Sequence, residues 1–236
     1  MLRSTGLIFA KPKKTPLLSD VDKKKRLDFC IAQLACDEYK QYFFSDEKYF
    51  TIVLAPASAW MLPSRRAEFT APHQAHPPKV MCWLAIGYFS DGRRFSNVFW
   101  YAENSRQDST LYCQTLQHAF APMCWNPLLN ILQQDNAPSH KSKATLKYIQ
   151  EQTSFTVLDG WPPRSPDLNV IENMWSWLAQ KLSLQNPPLK NVAELKHAVE
   201  ALLLTPKATE VAEALLQSYK HRLEKCIALK GAWTGY

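Results

Sequence analysis

The sequence predicts an α/β protein, a mixed sheet flanked by helices, with extra helices towards its C-terminal end. Three observations predict it. Aromatic and β-branched residues crowd 41–54, an unbroken apolar run fills 79–90, and a similar stretch returns at 94–102, which reads as early antiparallel strands. From 109 to 158 helical and strand patterns alternate, as crossover helices between parallel strands require. Beyond 166 only helical periodicity remains. Many activities use such an architecture, so the fold class selects none of them.

Each element follows from local chemistry. Pro12 and Pro16 keep residues 1–18 irregular. Ser19 with Asp22 resembles a capping box, so a helix is predicted over Asp20–Cys36, with Val21, Ile31 and Leu34 facing the core. QYFFSDEKYFTIVL at 41–54 reads as two strands around a turn at Asp46–Lys48. Pro56, Pro63, Pro72, Pro77 and Pro78 make 55–78 a loop. Lys79–Ser90 reads as a strand buried on both faces, Asp91-Gly92 as a turn, and Arg94–Ala102 as the returning strand. Ser109–Phe120 is helical through Leu111, Tyr112, Leu116, Ala119 and Phe120. Leu129–Gln134 is a short strand, Lys141–Gln152 a helix and Phe155–Leu158 a strand. After the loop Asp159–Ser165, Ser165 has the form of an N-cap, Pro166 of a first helical residue and Asp167 of a first-turn acid. A long helix is therefore predicted from Pro166, burying Leu168, Ile171, Trp175, Leu178 and Leu182. Helices at about 191–204 and 207–228 close the chain. The resulting organisation is a basic linker and lead-in helix (1–40), a core (41–185) and a C-terminal helical segment packed on it (186–236).

Composition narrows the function classes. With 46% hydrophobic and 21% charged residues, the 236-residue chain is neither disordered nor fibrous. Its longest apolar run, Val80–Phe89, is too short to span a bilayer, and Leu7–Ala10 is too short for a secretory segment, so no membrane partner is expected. The six cysteines form no Cys-x-x-Cys. Neither Cys113 with His118 nor His73 with His76 has a second half at zinc-finger spacing, so free thiols in a reducing compartment are expected. No small-molecule cofactor is expected. The net charge of +7 is uneven: residues 1–30 carry +5 and the other 206 only +2. A basic end on a nearly neutral body suggests a polyanion, with nucleic acid first, against the plainer reading of a solvated helix face and a tail. Lys11, Lys13, Lys14, Lys23, Lys24, Lys25 and Arg26 are the candidates for a basic DNA-binding stripe. KPKK at 11–14 and KKKR at 23–26 also suit a nuclear address, although KKKR falls within the predicted helix.

Three acids occupy telling places. Asp46 and Asp135 close predicted strands, and carboxylates at the carboxyl ends of neighbouring strands point into one crevice. Glu172 sits beside the buried stripe of the predicted helix, where a charge is costly without a partner such as a metal ion. Converging carboxylates suit hard divalent cations, and two such ions about 4 Å apart support phosphodiester chemistry. Taken singly, each acid is better explained as a turn former, a cap or a solvated side chain.

The strings around the acids decide the matter. FSDEKYF around Asp46, QQDNAPSH around Asp135 and WPPRSPDLNVIENMW around Glu172, with VMCW at 80–83, closely resemble the catalytic blocks of Tc/mariner transposases. The resemblance covers about residues 16–185 in the right order. It implies an RNase H-like fold, a catalytic and metal-binding triad of Asp46, Asp135 and Glu172, and two Mg²⁺ ions that Mn²⁺ can replace. It further implies cut-and-paste DNA transposition, transposon ends and target DNA as partners, a homodimer on DNA and a nuclear place of work. Asn136, His140, Asn173, Arg164 and Lys48 flank the acids and are candidates for supporting them or touching DNA.

Departures from the pattern are informative. Thirty-six residues separate Asp135 from Glu172, slightly more than in the best-known members. LAI follows VMCW where a glycine pair is common, and Val170 replaces a frequent proline. The family's paired helix-turn-helix domains do not fit into the stretch before Asp46. The alternative expectation is therefore a decayed or domesticated DNA-binding or interaction protein that keeps the fold.

Overall fold

The computed structural model describes residue 15 and residues 17–36, 41–52, 77–103, 105–121, 131–153, 155–185 and 187–236. Among the described residues, five strands form one mixed sheet: β1 (Tyr42–Thr51), β2 (Lys79–Ile86), β3 (Phe99–Trp100), β4 (Ile131–Gln133) and β5 (Thr156–Val157). Among the same residues seven helices accompany them: α1 (Asp20–Cys36), α2 (Ser109–Phe120), α3 (Lys143–Gln152), α4 (Ile171–Ser183), α5 (Val192–Leu203), α6 (Pro206–Gln217) and α7 (Tyr219–Ala228). The sheet order is β3-β2-β1-β4-β5, antiparallel across β3, β2 and β1 and parallel across β1, β4 and β5. The mixed sheet with helices on both faces is the predicted architecture.

β1 is the central strand, and it corrects the expected hairpin. No turn forms at Asp46–Lys48, because the strand pairs with β2 without a break from Phe44 opposite Ile86 to Thr51 opposite Lys79. A turn there would forfeit that ladder. Period-two alternation then sorts the side chains. Tyr42, Phe44, Phe50 and Ile52 enter one core with residues of α1 and α4–α7, while Phe43 enters a second core with α2 and α3. Asp46 and Lys48 share the parity of the first face, and Glu47 that of the second. The other expected strands are shorter than predicted, and the 94–102 stretch contributes only β3 and a bridge from Phe95 to Ile86.

α1 packs through Arg26, Phe29, Cys30 and Gln33, while Val21 and Ile31 are exposed. Leu34 alone among the predicted core-facing residues packs against the core. The buried stripe includes a charge. Arg26 Nη1 and Nη2 donate to the two oxygens of Asp167 at 2.8 and 2.7 Å, Nη1 also to Ser165 Oγ, and Nε to the Gly231 carbonyl. Asp167 Oδ2 further accepts from Thr234 N and Oγ1. Both ion-pair partners are wholly buried. This removes Arg26 from the basic DNA-binding stripe. Lys23 and Lys24 pair with Asp20 and Asp28 on the helix surface, and Lys25 is exposed. Lys11, Lys13 and Lys14 lie outside the described residues, as do His73, His76 and most of the proline-rich loop.

The same pair explains why α4 does not begin at Pro166. Asp167 accepts from the α1 and C-terminal groups rather than from the first turn of a helix, and Ser165 Oγ donates to the Pro163 carbonyl. The chain runs through turns until Ile171, so Glu172 lies in the first turn of α4. The predicted stripe still buries Leu168, Ile171, Trp175 and Leu178. The expected helix 207–228 divides at Ser218 into α6 and α7. Gly231 (φ +80°) follows α7 and presses on the Lys23 backbone, where a Cβ would collide with the carbonyl. Cys30, Cys36, Cys82, Cys113 and Cys226 are free thiols.

Breaking a buried ion pair from one side leaves an uncompensated charge. Arg26→Met is expected to destabilise the protein by about 3–5 kcal/mol in urea unfolding, with the Arg26→Met/Asp167→Leu double variant recovering part of the loss. A single-variant loss within about 0.5 kcal/mol, typical of surface positions, would contradict the packing described.

Candidate active site

β1 and β4 are parallel neighbours, with Tyr42 opposite Ile131 and Phe44 opposite Gln133. Continuing that register two residues brings Asp46 level with Asp135. Asp46 thus lies within β1 rather than at its end, and Asp135 lies just beyond β4. α4 crosses the same face and brings Glu172. The three carboxylates line one cavity of about 400 Å³, whose wall also includes Asn136, Trp161, Arg164 and Asn169. Among the described residues no three His, Cys, Asp or Glu side chains form a ready-made metal cluster. The acids share a cavity rather than a closed ligand cage.

The electrostatics differ from acid to acid. Burial, and then the nearby charges of Glu172 and Glu47, push the Asp46 carboxyl up to about 8. Burial also raises Glu172, with Lys48 as the opposing charge. Asp135 behaves otherwise. Burial works against its charge, but His140 and the Ala137 N–H hold it below the usual carboxylate range. His140 is itself raised to about 9: burial opposes its charge, and Asp135 and Glu47 outweigh that. Two acids with little counter-charge and a third already ionised form a hole shaped for hard cations. The donor set therefore fits divalent metal ions.

Cross-links tie the three sequence blocks together. Trp175 Nε1 donates to Asp46 Oδ2 at 3.2 Å, and Asn169 Nδ2 to the Ser45 carbonyl at 3.2 Å. Asn136 Nδ2 donates to the Trp161 carbonyl at 3.0 Å. His140 stands between Asp135 Oδ1 (Nδ1, 2.7 Å) and Glu47 Oε1 (Nε2, 3.4 Å). Of the flanking candidates, Asn136 and Arg164 reach the cavity wall, whereas His140, Lys48 and Asn173 do not. Arg164 has a left-handed backbone (φ 52°), and its guanidinium donates to the Leu17 carbonyl at 2.9 Å. Sequence reasoning missed Glu47, Asn169 and the polar role of Trp175. A charged residue at the opposite parity to Asp46 in a central strand was the available signal for Glu47; Trp175 carried none beyond its core periodicity.

A catalytic-core sheet with a carboxylate cavity at the β1–β4–α4 junction defines the class, and comparison with known proteins agrees. Residues 41–196 match the DDE superfamily endonuclease family. The chain is 30% identical to the Tc3 transposase of Caenorhabditis elegans over 97% of its own length and 68% of the relative's. It is 27% identical to the Tcb1 transposase of Caenorhabditis briggsae, over 100% and 85%. Among solved structures it superposes on a Mos1 transposase paired-end complex with the left transposon end (TM-score 0.81, 20% identity, 99% of this chain and 69% of that one). It also resembles the isolated catalytic domain of Mos1 mariner transposase (TM-score 0.69, 16% identity, 94% and 99%). The chain belongs to the DDE superfamily of endonucleases, and it is the catalytic domain of a Tc/mariner transposase, with the RNase H-like fold of that family.

The titrations set a testable pH profile for the metal-free protein. Asp46, raised in the fold, binds a proton that the unfolded chain has lost, so its contribution to stability falls as pH rises from about 4 to about 8. The His140 contribution is complete below its unfolded value of 6.5 and is lost as pH rises through about 9. Both lower stability in the same direction. Between pH 6 and 9 the metal-free Tm should fall, and Asp46→Asn should remove only about half of that fall, leaving the part that His140 contributes. An unchanged slope in Asp46→Asn would count against the buried carboxylate.

Proposed function

We propose that this domain cleaves and joins DNA strands at the carboxylate cavity, with Asp46, Asp135 and Glu172 as ligands for two Mg²⁺ ions that Mn²⁺ can replace. The observation that carries the reading is the convergence of three acids from separate blocks on one cavity, two of them without adequate counter-charge. Bound divalent ions supply activation of the attacking water or 3′-hydroxyl and stabilisation of the leaving oxygen. The protein supplies placement. Asp46 is fixed by its strand and by Trp175, Asp135 is held by its turn together with His140, and Glu172 by the start of α4. Asn136 ties the second block to the third. Lys48, on the Asp46 face of β1, and Arg164, at the cavity wall, are the basic residues we assign to phosphates of the bound strand.

The Mos1 paired-end complexes with Mn and with Mg among its structural neighbours support DNA ends and divalent ions as the partners of this chain. We extend the same reading to a homodimer on DNA and to work in the nucleus. There KPKK at 11–14 is the better import address, since KKKR is built into α1 with Arg26 buried.

With Mn²⁺ and supercoiled plasmid, the purified chain is expected to nick DNA. Asp46→Asn, Asp135→Ala and Glu172→Gln should each lose roughly 100-fold or more of the rate, since each removes a ligand worth several kcal/mol in the transition state. Folded wild-type protein that nicks no faster than Asp135→Ala would refute the proposal.

A further inference from the structure

We infer that Glu47 and His140 are positioning residues for Asp135, forming a brace that carries the placement of β1 across to the second metal ligand. The inference rests on the reading of Asp135 as a ligand.

Asp135 needs such help. It lies two residues past the last paired residue of β4, and its side chain is 56% exposed. Neither ladder nor core packing sets its rotamer. Two groups engage its Oδ1: the Ala137 N–H at 2.8 Å and His140 Nδ1 at 2.7 Å. The first closes a local turn and moves with the loop. The second is anchored elsewhere.

His140 is a buried ring that cannot readily turn. It stacks on Tyr112 with centroids 4.0 Å apart, and its carbonyl accepts from Gln134 Nε2 at 3.1 Å. Tyr112 OH in turn donates to Gln134 Oε1. Its far nitrogen faces Glu47 Oε1 at 3.4 Å, and the same oxygen accepts from Gln107 Nε2 at 2.6 Å. Gln107 also donates to Tyr101 OH. Glu47 follows Asp46 in β1 but projects to the opposite face. The strand that carries one aspartate on its front thus fixes the other from behind. With Oδ1 engaged, Oδ2 is the oxygen left to face an incoming cation. A group that only balanced charge in the core would contribute to stability without affecting the metal. Partners of ligating carboxylates behave differently, because they set ligand orientation.

The test uses the full chain and Mn²⁺ alone, with free Mn²⁺ read by electron paramagnetic resonance and the fold checked by circular dichroism. Glu47→Gln and His140→Gln are each expected to weaken Mn²⁺ binding by roughly 10–100-fold while remaining folded. In plasmid nicking they should raise the Mn²⁺ concentration for half-maximal rate more than they lower the rate at saturating Mn²⁺. If His140→Gln does not fold, Glu47→Gln at its partly exposed site decides alone. Folded variants that bind Mn²⁺ as tightly as wild type overturn the brace and leave the catalytic reading standing. Wild-type binding no tighter than that of Asp135→Asn overturns the ligand reading and the brace with it.

Discussion

The carboxylate site is built on a desolvation penalty. Asp46 and Glu172 face one cavity, burial raises both carboxyls, and Glu172 adds a further charge beside Asp46, so the fold must hold in place two groups that water would solvate better. Packing and backbone pairing do this. Asp46 is carried by a ten-residue strand paired on both sides, and Glu172 opens a helix whose next turns bury Met174, Trp175 and Leu178. Neither can move away without breaking the ladder or opening the core. The strain is relieved by whatever positive charge enters the cavity, which is how a structural penalty becomes a binding preference.

Glu172 depends on a more distant contact. The loop from Trp161 to Val170 makes no regular structure, yet it determines where α4 starts. It is held because Arg26 from α1 and Thr234 from the C-terminal segment converge on Asp167, and Arg222 of α7 donates to the Asp167 carbonyl. The lead-in helix and the last residues are therefore structural parts of the active site, although neither contributes a side chain to the cavity wall. A buried ion pair is a poor source of net stability, but one with this many partners defines a single arrangement of three chain segments.

The legible parts of the fold were those in which local and global preferences agree. The α2 pattern, the apolar β2 run and the buried stripe through Trp175 were readable because packing alone determines them. The misreadings cluster where function or long-range pairing overrides local rules. Asp46-Glu47-Lys48 has the composition of a turn, and only the unbroken ladder to β2 reveals a strand. Ser165-Pro166-Asp167 is a strong helix start, but Asp167 answers to Arg26, 141 residues earlier. Val21 and Ile31 were assigned to the core by apolarity, whereas the true stripe of α1 runs through an arginine. The motifs single out the three acids that the fold brings to one cavity, but not the side chains that hold them there. Glu47, Asn169 and the Trp175 indole act through contacts that only the folded chain creates.

The central claim is that the three carboxylates share divalent ions. Anomalous scattering from crystals soaked in Mn²⁺ tests it most directly. The account predicts density in the cavity with oxygens of Asp46, Asp135 and Glu172 all among the ligands, at roughly 2.0–2.3 Å. An empty cavity at saturating Mn²⁺, or ions held by one of the three acids alone, would contradict it.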